Sequence, residues 1–158
     1  MISAKYLGVC SIGVAFGADQ FSKTAANAYS DALAGGMPVL PGFNLIFLRN
    51  DGVTFGMMAG LPWWALSALA LGIVIWLSIL LMRAETRLQT AAYGAIIGGA
   101  LGNVADRLRF GAVTDFLDVY VGTWHWPAFN LADVAVVGGV IALLMSEFLA
   151  SRKPHLQS

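Results

Sequence analysis

At 158 residues the chain has the length of one domain, yet 58% hydrophobic and only 11% charged residues exclude an ordinary soluble one. A mean hydropathy of +0.74 and long apolar runs identify an integral membrane protein. Zero net charge gives no sign of a nucleic-acid partner or an acidic substrate, and the single cysteine, Cys10, excludes an intramolecular disulfide.

The first apolar run covers about residues 6–26, behind Lys5. A cleavable signal peptide is the competing reading, because Ala26-Asn27-Ala28 has a small-x-small pattern. Asp19 and Lys23 lie between the run and that pattern, where a signal peptide should be uncharged, so a retained helix is expected. Cys10 behind Leu7-Gly8-Val9 also has the look of a lipoprotein cleavage box, but it comes too early in the run. Asp19 and Lys23, spaced i,i+4, share one helix face. They fit a neutralised pair at a membrane boundary, a support for a nearby site, or both.

Residues 27–60 are no span, since they hold Gly35-Gly36, Pro38 and Pro41-Gly42. Residues 43–48 and 53–58 are β-rich and flank Arg49-Asn50-Asp51-Gly52, which predicts a hairpin lying on the membrane surface. On composition alone Asn50 is a turn residue. The second span is predicted over residues 61–82, with Trp63 and Trp64 at one end and Arg83 and Arg87 beyond the other. The third covers about residues 88–105, where Gly94, Gly98 and Gly102 recur every fourth residue and would let another helix approach closely. Residues 108–128 return over the surface, with Tyr120, Trp124 and Trp126 at headgroup depth, and the fourth span runs over about residues 130–150.

Four spans put both termini on one side, with Lys5, Arg83, Arg87, Arg152 and Lys153 there and Lys23, Arg49, Arg107 and Arg109 opposite. The bias is slight by count, and it strengthens if Lys23 and Arg107 belong to internal pairs. Cytoplasmic termini are therefore expected, with Asp19, Asn50, Asp115 and Asp133 at the outer leaflet. The expected architecture is a mainly α membrane protein: a four-transmembrane-helix bundle, a small periplasmic β hairpin or sheet, and a surface aromatic segment, all in one domain over residues 1–158.

Few hydrolytic schemes fit these residues. His125 and His155 fall on opposite sides, which leaves no zinc site; no G-x-S-x-G elbow accompanies a serine triad, and no phosphate loop is present. Two aspartates remain, Asp115 and Asp133, each among apolar neighbours at the edge of a hydrophobic segment. Two carboxylates close together share a proton, so that one takes a proton from water while the other polarises a peptide carbonyl. Spacing alone somewhat favours the plainer reading, in which Asp115 caps a turn and Asp133 caps the fourth helix.

The motifs Asp19-x-x-x-Lys23, Asn50-x-Gly52-x-x-Phe55, residues 98–103 (GGALGN), Asp106-Arg107, Gly111-x-Val113-x-Asp115-Phe116 and Phe129-Asn130-x-Ala132-Asp133 occur in this order across most of the chain. In order and spacing the chain resembles the signal peptidase II (lipoprotein signal peptidase) family of bacterial membrane aspartyl proteases. The resemblance implies that Asp115 and Asp133 are the catalytic pair. It implies that Asn50, Gly52, Gly99, Asn103, Arg107, Asn130 and Ala132 line or brace the site, with Asp19 and Lys23 supporting its outer end. It implies, further, cleavage of a prolipoprotein just before a diacylglyceryl-modified cysteine, without metal or cofactor, by a monomer in contact with lipid in the bacterial inner membrane. Val53-Thr54 departs from the alanine followed by alanine or serine that the family often has there. The alternative class, a small proton-coupled transporter, predicts charges spread through the depth of the bilayer.

Overall fold

A computed structural model describes residues 4–52 and 61–151. In chain order these form α1 (Ala4–Ala28), α2 (Ser30–Leu33), β1 (Met37–Leu40), β2 (Phe43–Asn50), α3 (Trp63–Met82), α4 (Arg87–Phe110), β3 (Val113–Val121), β4 (Trp124–His125) and α5 (Leu131–Ser151). Helix α4 is central and touches α1, α3 and α5. The described residues are mainly helical with one small antiparallel sheet. Among the described residues two helices, α3 and α5, are long and apolar enough to cross a membrane.

The predicted glycine stripe is what brings α1 onto α4. A Cβ at Gly98 would stand 2.5 Å from the Ile12 carbonyl oxygen, and one at Gly94 would stand 2.6 Å from that of Gly8. One turn further on, Gly102 abuts the Asp19 carboxylate. These contacts rise together along both helices, so α1 and α4 run parallel. On another face of α4, Gly99 leaves room for the Ala132 carbonyl while Gly139 of α5 lies against Ala92 and Ile96, so α5 is antiparallel. Residues 19–28, the end of α4 and the start of α5 therefore meet at one end of the molecule.

The sheet covers that end, in the order β1-β2-β3-β4. Pro41-Gly42 turns β1 into β2, with Gly42 at φ 86°, where an L side chain would be strained. The long pairing is β2 with β3, which sets Asn50 opposite Val113 and Leu48 opposite Asp115. Beyond β4 the chain returns alongside β3. Phe129 pairs with Leu117 there, and the next residues begin α5.

Helix α4 outlasts its predicted end near residue 105 by five residues and stops at Gly111, whose backbone N–H bonds to the Arg107 carbonyl at φ 70°. Residues 108–110, expected in the surface crossing, are thus helical, and Asp106 and Arg107 are buried in the last turns of α4. Of the predicted hairpin, residues 43–48 form β2 paired to β1 and β3, and residues 53–58 lie outside the described residues. Part of the predicted aromatic segment is strand, with Trp124 and Trp126 exposed and packed edge to face.

The interior inverts the usual arrangement. The largest fully buried side chains include Lys23, Asn130, Asp19, Asp106 and Asp115, while Ile75, Trp76, Leu144 and Phe148 on α3 and α5 face outward. Apolar surface on this scale needs an apolar surrounding.

Candidate active site

A cavity of about 290 Å³ opens where α3, α4, α5 and the sheet converge. Asn50, Gly52, Asn103, Arg107, Asp115 and Asp133 line its polar side; Leu66, Leu69, Ala70 and Ile73 of α3 form an apolar wall. Six of the eleven site residues expected from the sequence therefore share one cavity. The other five stand behind it.

Strand β3 delivers Asp115. Its two carboxylate oxygens accept from Asn50 Nδ2 at 2.9 Å and Asn130 Nδ2 at 2.6 Å. Asp133 is in the first turn of α5, where its Oδ2 accepts the Asn130 backbone N–H at 3.1 Å and its own N–H bonds to Asn130 Oδ1 at 3.0 Å. That reciprocal pair is a capping box built from Asn and Asp. The cap reading of Asp133 is thus correct, and it leaves Oδ1 to accept from Asn103 Nδ2 at 3.1 Å. Asn130 holds both carboxylates at once. Asp115 caps no turn, because it lies inside a strand.

Behind the cavity, Lys23 Nζ meets Asn103 Oδ1 at 2.7 Å, Asp19 Oδ2 at 3.0 Å and Asp106 Oδ2 at 3.7 Å. Asp19 in turn accepts the Ala132 backbone N–H at 2.9 Å. Asp19, Lys23, Gly99, Ala132 and Asn130 brace the site without lining it. Arg107 donates to the Gly52 carbonyl at 2.9 Å, and Gly52 N–H bonds to Asn50 Oδ1 at 3.0 Å, which holds the end of β2 over the carboxylates. Val53 and Thr54, the departure from the family pattern, lie outside the described residues.

Two contributors were not expected. Asp106 accepts the Thr114 backbone N–H at 2.8 Å, pinning β3 one residue before Asp115. Arg49 bonds to Thr114 Oγ1 and Asn27 Oδ1, each at 2.6 Å, and sits 4.0 Å over the Phe110 ring, fastening β2 to both helices. The signal for Asp106 was present in the sequence: a carboxylate in an apolar helix needs a donor.

Every buried side-chain nitrogen and oxygen among the described residues has a partner. The polar side of the cavity presents hydrogen-bond donors and carboxylates, and among the described residues no three His, Cys, Asp or Glu gather as a metal site. Burial, the largest cause, pushes the Asp115 carboxyl up to about 6; the Asp133 charge adds to this, while the bonds from Asn50 and Asn130 and the Lys23 charge oppose it.

The Signal peptidase (SPase) II family model matches residues 11–149. A lipoprotein signal peptidase of Anaplasma marginale is 40% identical over 96% of this chain and 90% of its own length. One from Burkholderia mallei is 44% identical over 91% and 87%. Another from Yersinia pseudotuberculosis is 44% identical over 75% and 73%. Two solved bacterial membrane enzymes share the fold. The first has a TM-score of 0.81 at 23% identity, over 98% of this chain and 93% of its own. The second has 0.72 at 25% identity, over 90% of each. The chain belongs to the signal peptidase II family.

The raised Asp115 carboxyl has a consequence for folding. With a folded value of about 6 against 3.8, protonation adds stability that is fully present below about pH 4 and lost as pH rises through about 6. The melting temperature of the wild type should therefore fall relative to that of Asp115→Asn across this window. A constant difference would show that Asp115 titrates normally.

Proposed function

We propose that this signal peptidase II is an aspartic endopeptidase that removes the signal peptide of a diacylglyceryl-modified prolipoprotein, cutting just before the lipidated cysteine with Asp115 and Asp133 as its catalytic pair. The observation that carries the reading is one cavity in which both carboxylates hydrogen-bond to a single residue, Asn130. The charge on Asp133 opposes ionisation of Asp115, so one proton is held on the pair. The ionised one takes a proton from water, and the protonated one donates to the scissile carbonyl. Water oxygen adds to the carbonyl carbon, giving a tetrahedral diol. The pair then protonates the departing amine as the C–N bond breaks. Every proton is returned, so no metal or cofactor is required.

The apolar wall from α3 suits a substrate whose signal segment and lipid both come from the bilayer. α1, α3, α4 and α5 are read as four spans of one domain, 1–158, in the inner membrane, with termini cytoplasmic and the sheet-covered cavity at the periplasmic leaflet. The chain is read as a monomer. Helices α1 and α4 carry too many polar groups to resemble free spans, but those groups are turned onto each other. The transporter alternative is not supported, since Asp19, Lys23, Asp106, Arg107 and Asp115 gather at one end.

Orientation is testable with single cysteines in a Cys10→Ser background. His125→Cys should react with an impermeant thiol reagent in intact spheroplasts and His155→Cys should not. The opposite pattern would place the cavity at the cytoplasmic leaflet.

Asp115→Asn and Asp133→Asn should each abolish cleavage of the lipidated substrate by purified protein. The double variant should be scarcely worse than either, because residues that act as one unit are strongly non-additive. Wild-type activity should fall at both low and high pH and should survive chelators. Substantial turnover by either single variant would sink the pair.

A further inference from the structure

The three asparagines around the carboxylates have fixed orientations. A primary amide shows a partner either its oxygen or its N–H, and the group behind it decides which. Asn50 Oδ1 is held by the Gly52 N–H and Asn130 Oδ1 by the Asp133 N–H, so both must turn Nδ2 toward Asp115. Those two locks are backbone. The lock on Asn103 is made of side chains: the Lys23 ammonium, 1% exposed, donates to Asn103 Oδ1 at 2.7 Å, and Asn130 Nδ2 adds a longer bond to the same oxygen at 3.2 Å. An ammonium only donates, so it holds the oxygen and forces Nδ2 toward Asp133 Oδ1, at 3.1 Å.

We propose that Lys23 is a positioning residue for the reaction: acting through Asn103, it keeps an N–H on Asp133 and makes Asp133 the ionised, water-activating member of the pair, with the shared proton on Asp115. This rests on the dyad reading above. Were Asn103 reversed, its oxygen would face Asp133 and favour a proton there, exchanging the two roles.

The rest of the site agrees in sense. Asp133 also accepts the Asn130 backbone N–H in the first turn of α5, where the helix dipole favours negative charge. Asp115 lies on a strand and has two side-chain amides as donors. Of the charged groups around Asp133, Arg107 on α4 and Lys23 on α1 favour its ionised form, while Asp115 on β3 and Asp19 on α1 oppose it. The α3 wall brings no charge. Asp19 and Asp106 largely offset the bare charge of Lys23, so its influence on Asp133 comes chiefly through the amide it orients.

The test is the pH profile of kcat/KM for cleavage of a diacylglyceryl-modified prolipoprotein by the full chain, compared among wild type, Lys23→Met, Asn103→Ala and the double variant. The acid limb, which reports ionisation of the base, should move up by about one pH unit in each single variant and no further in the double. A uniform loss of rate with an unmoved limb would reduce Lys23 to a structural role and overturn the proposal. Asn103→Ala keeps the Lys23–Asp19 pair, so its limb decides the matter even if Lys23→Met does not fold. Turnover by Asp133→Asn would instead sink the dyad reading itself, whatever the limbs do.

Discussion

The structure depends on burying one ammonium group. Lys23 is almost wholly shielded from water, and an uncompensated charge there would cost several kcal/mol. Asp19, one turn away on α1, and Asp106 and Asn103, on α4, supply the compensation. Those partners are in reach only if α1 and α4 nearly touch, and Gly94, Gly98 and Gly102 remove the side chains that would keep them apart. Asp19 also receives the Ala132 N–H, which ties α5 into the same cluster. One desolvated charge thus fixes the meeting point of three helices, and the carboxylate pair sits beside it.

The distribution of polarity follows from the solvent. In a bilayer, outward apolar side chains on α3 and α5 cost nothing, whereas polar groups must find partners inside. Helices α1 and α4 meet that demand by pairing with each other, so neither is apolar enough to count as a span by composition. The same scarcity of water raises the Asp115 carboxyl toward neutrality. Burial that would be a liability in a soluble domain here raises the carboxyl that the proposed reaction needs protonated. The sheet contributes rigidity, since Arg107 through Gly52, and Arg49 and Asp106 through Thr114, hold β2 and β3 over the cavity.

Hydropathy made the long helices legible to within a few residues, except at the end of α4, where charged residues suggested a surface loop. A helix end buried against partners distant in sequence is not visible as a local pattern. The glycine stripe disclosed a close approach but not its partner, α1. Asp115 and Asp133 were recognisable as costly carboxylates, yet spacing left them as caps or as a pair, and Asp133 is both a cap and a cavity residue. The partnership of Asp106 with Thr114 was hidden because it crosses the tight turn at Gly111 to a backbone group, which has no sequence signature. Likewise the β2–β3 pairing joins residues more than sixty positions apart and leaves no local pattern, whereas the turn residues 49–52 pointed only toward residues 53–58, which lie outside the described residues.

The central claim is that two carboxylates lining one cavity hold one proton between them. Carboxyl 13C chemical shifts of aspartate-labelled protein in lipid, assigned with Asp115→Asn and Asp133→Asn and followed from pH 3 to pH 9, measure this directly. The account predicts that the pair titrates in two separated steps, with one carboxyl still protonated near pH 6. Two independent titrations near the ordinary aspartate value of about 4 would contradict it.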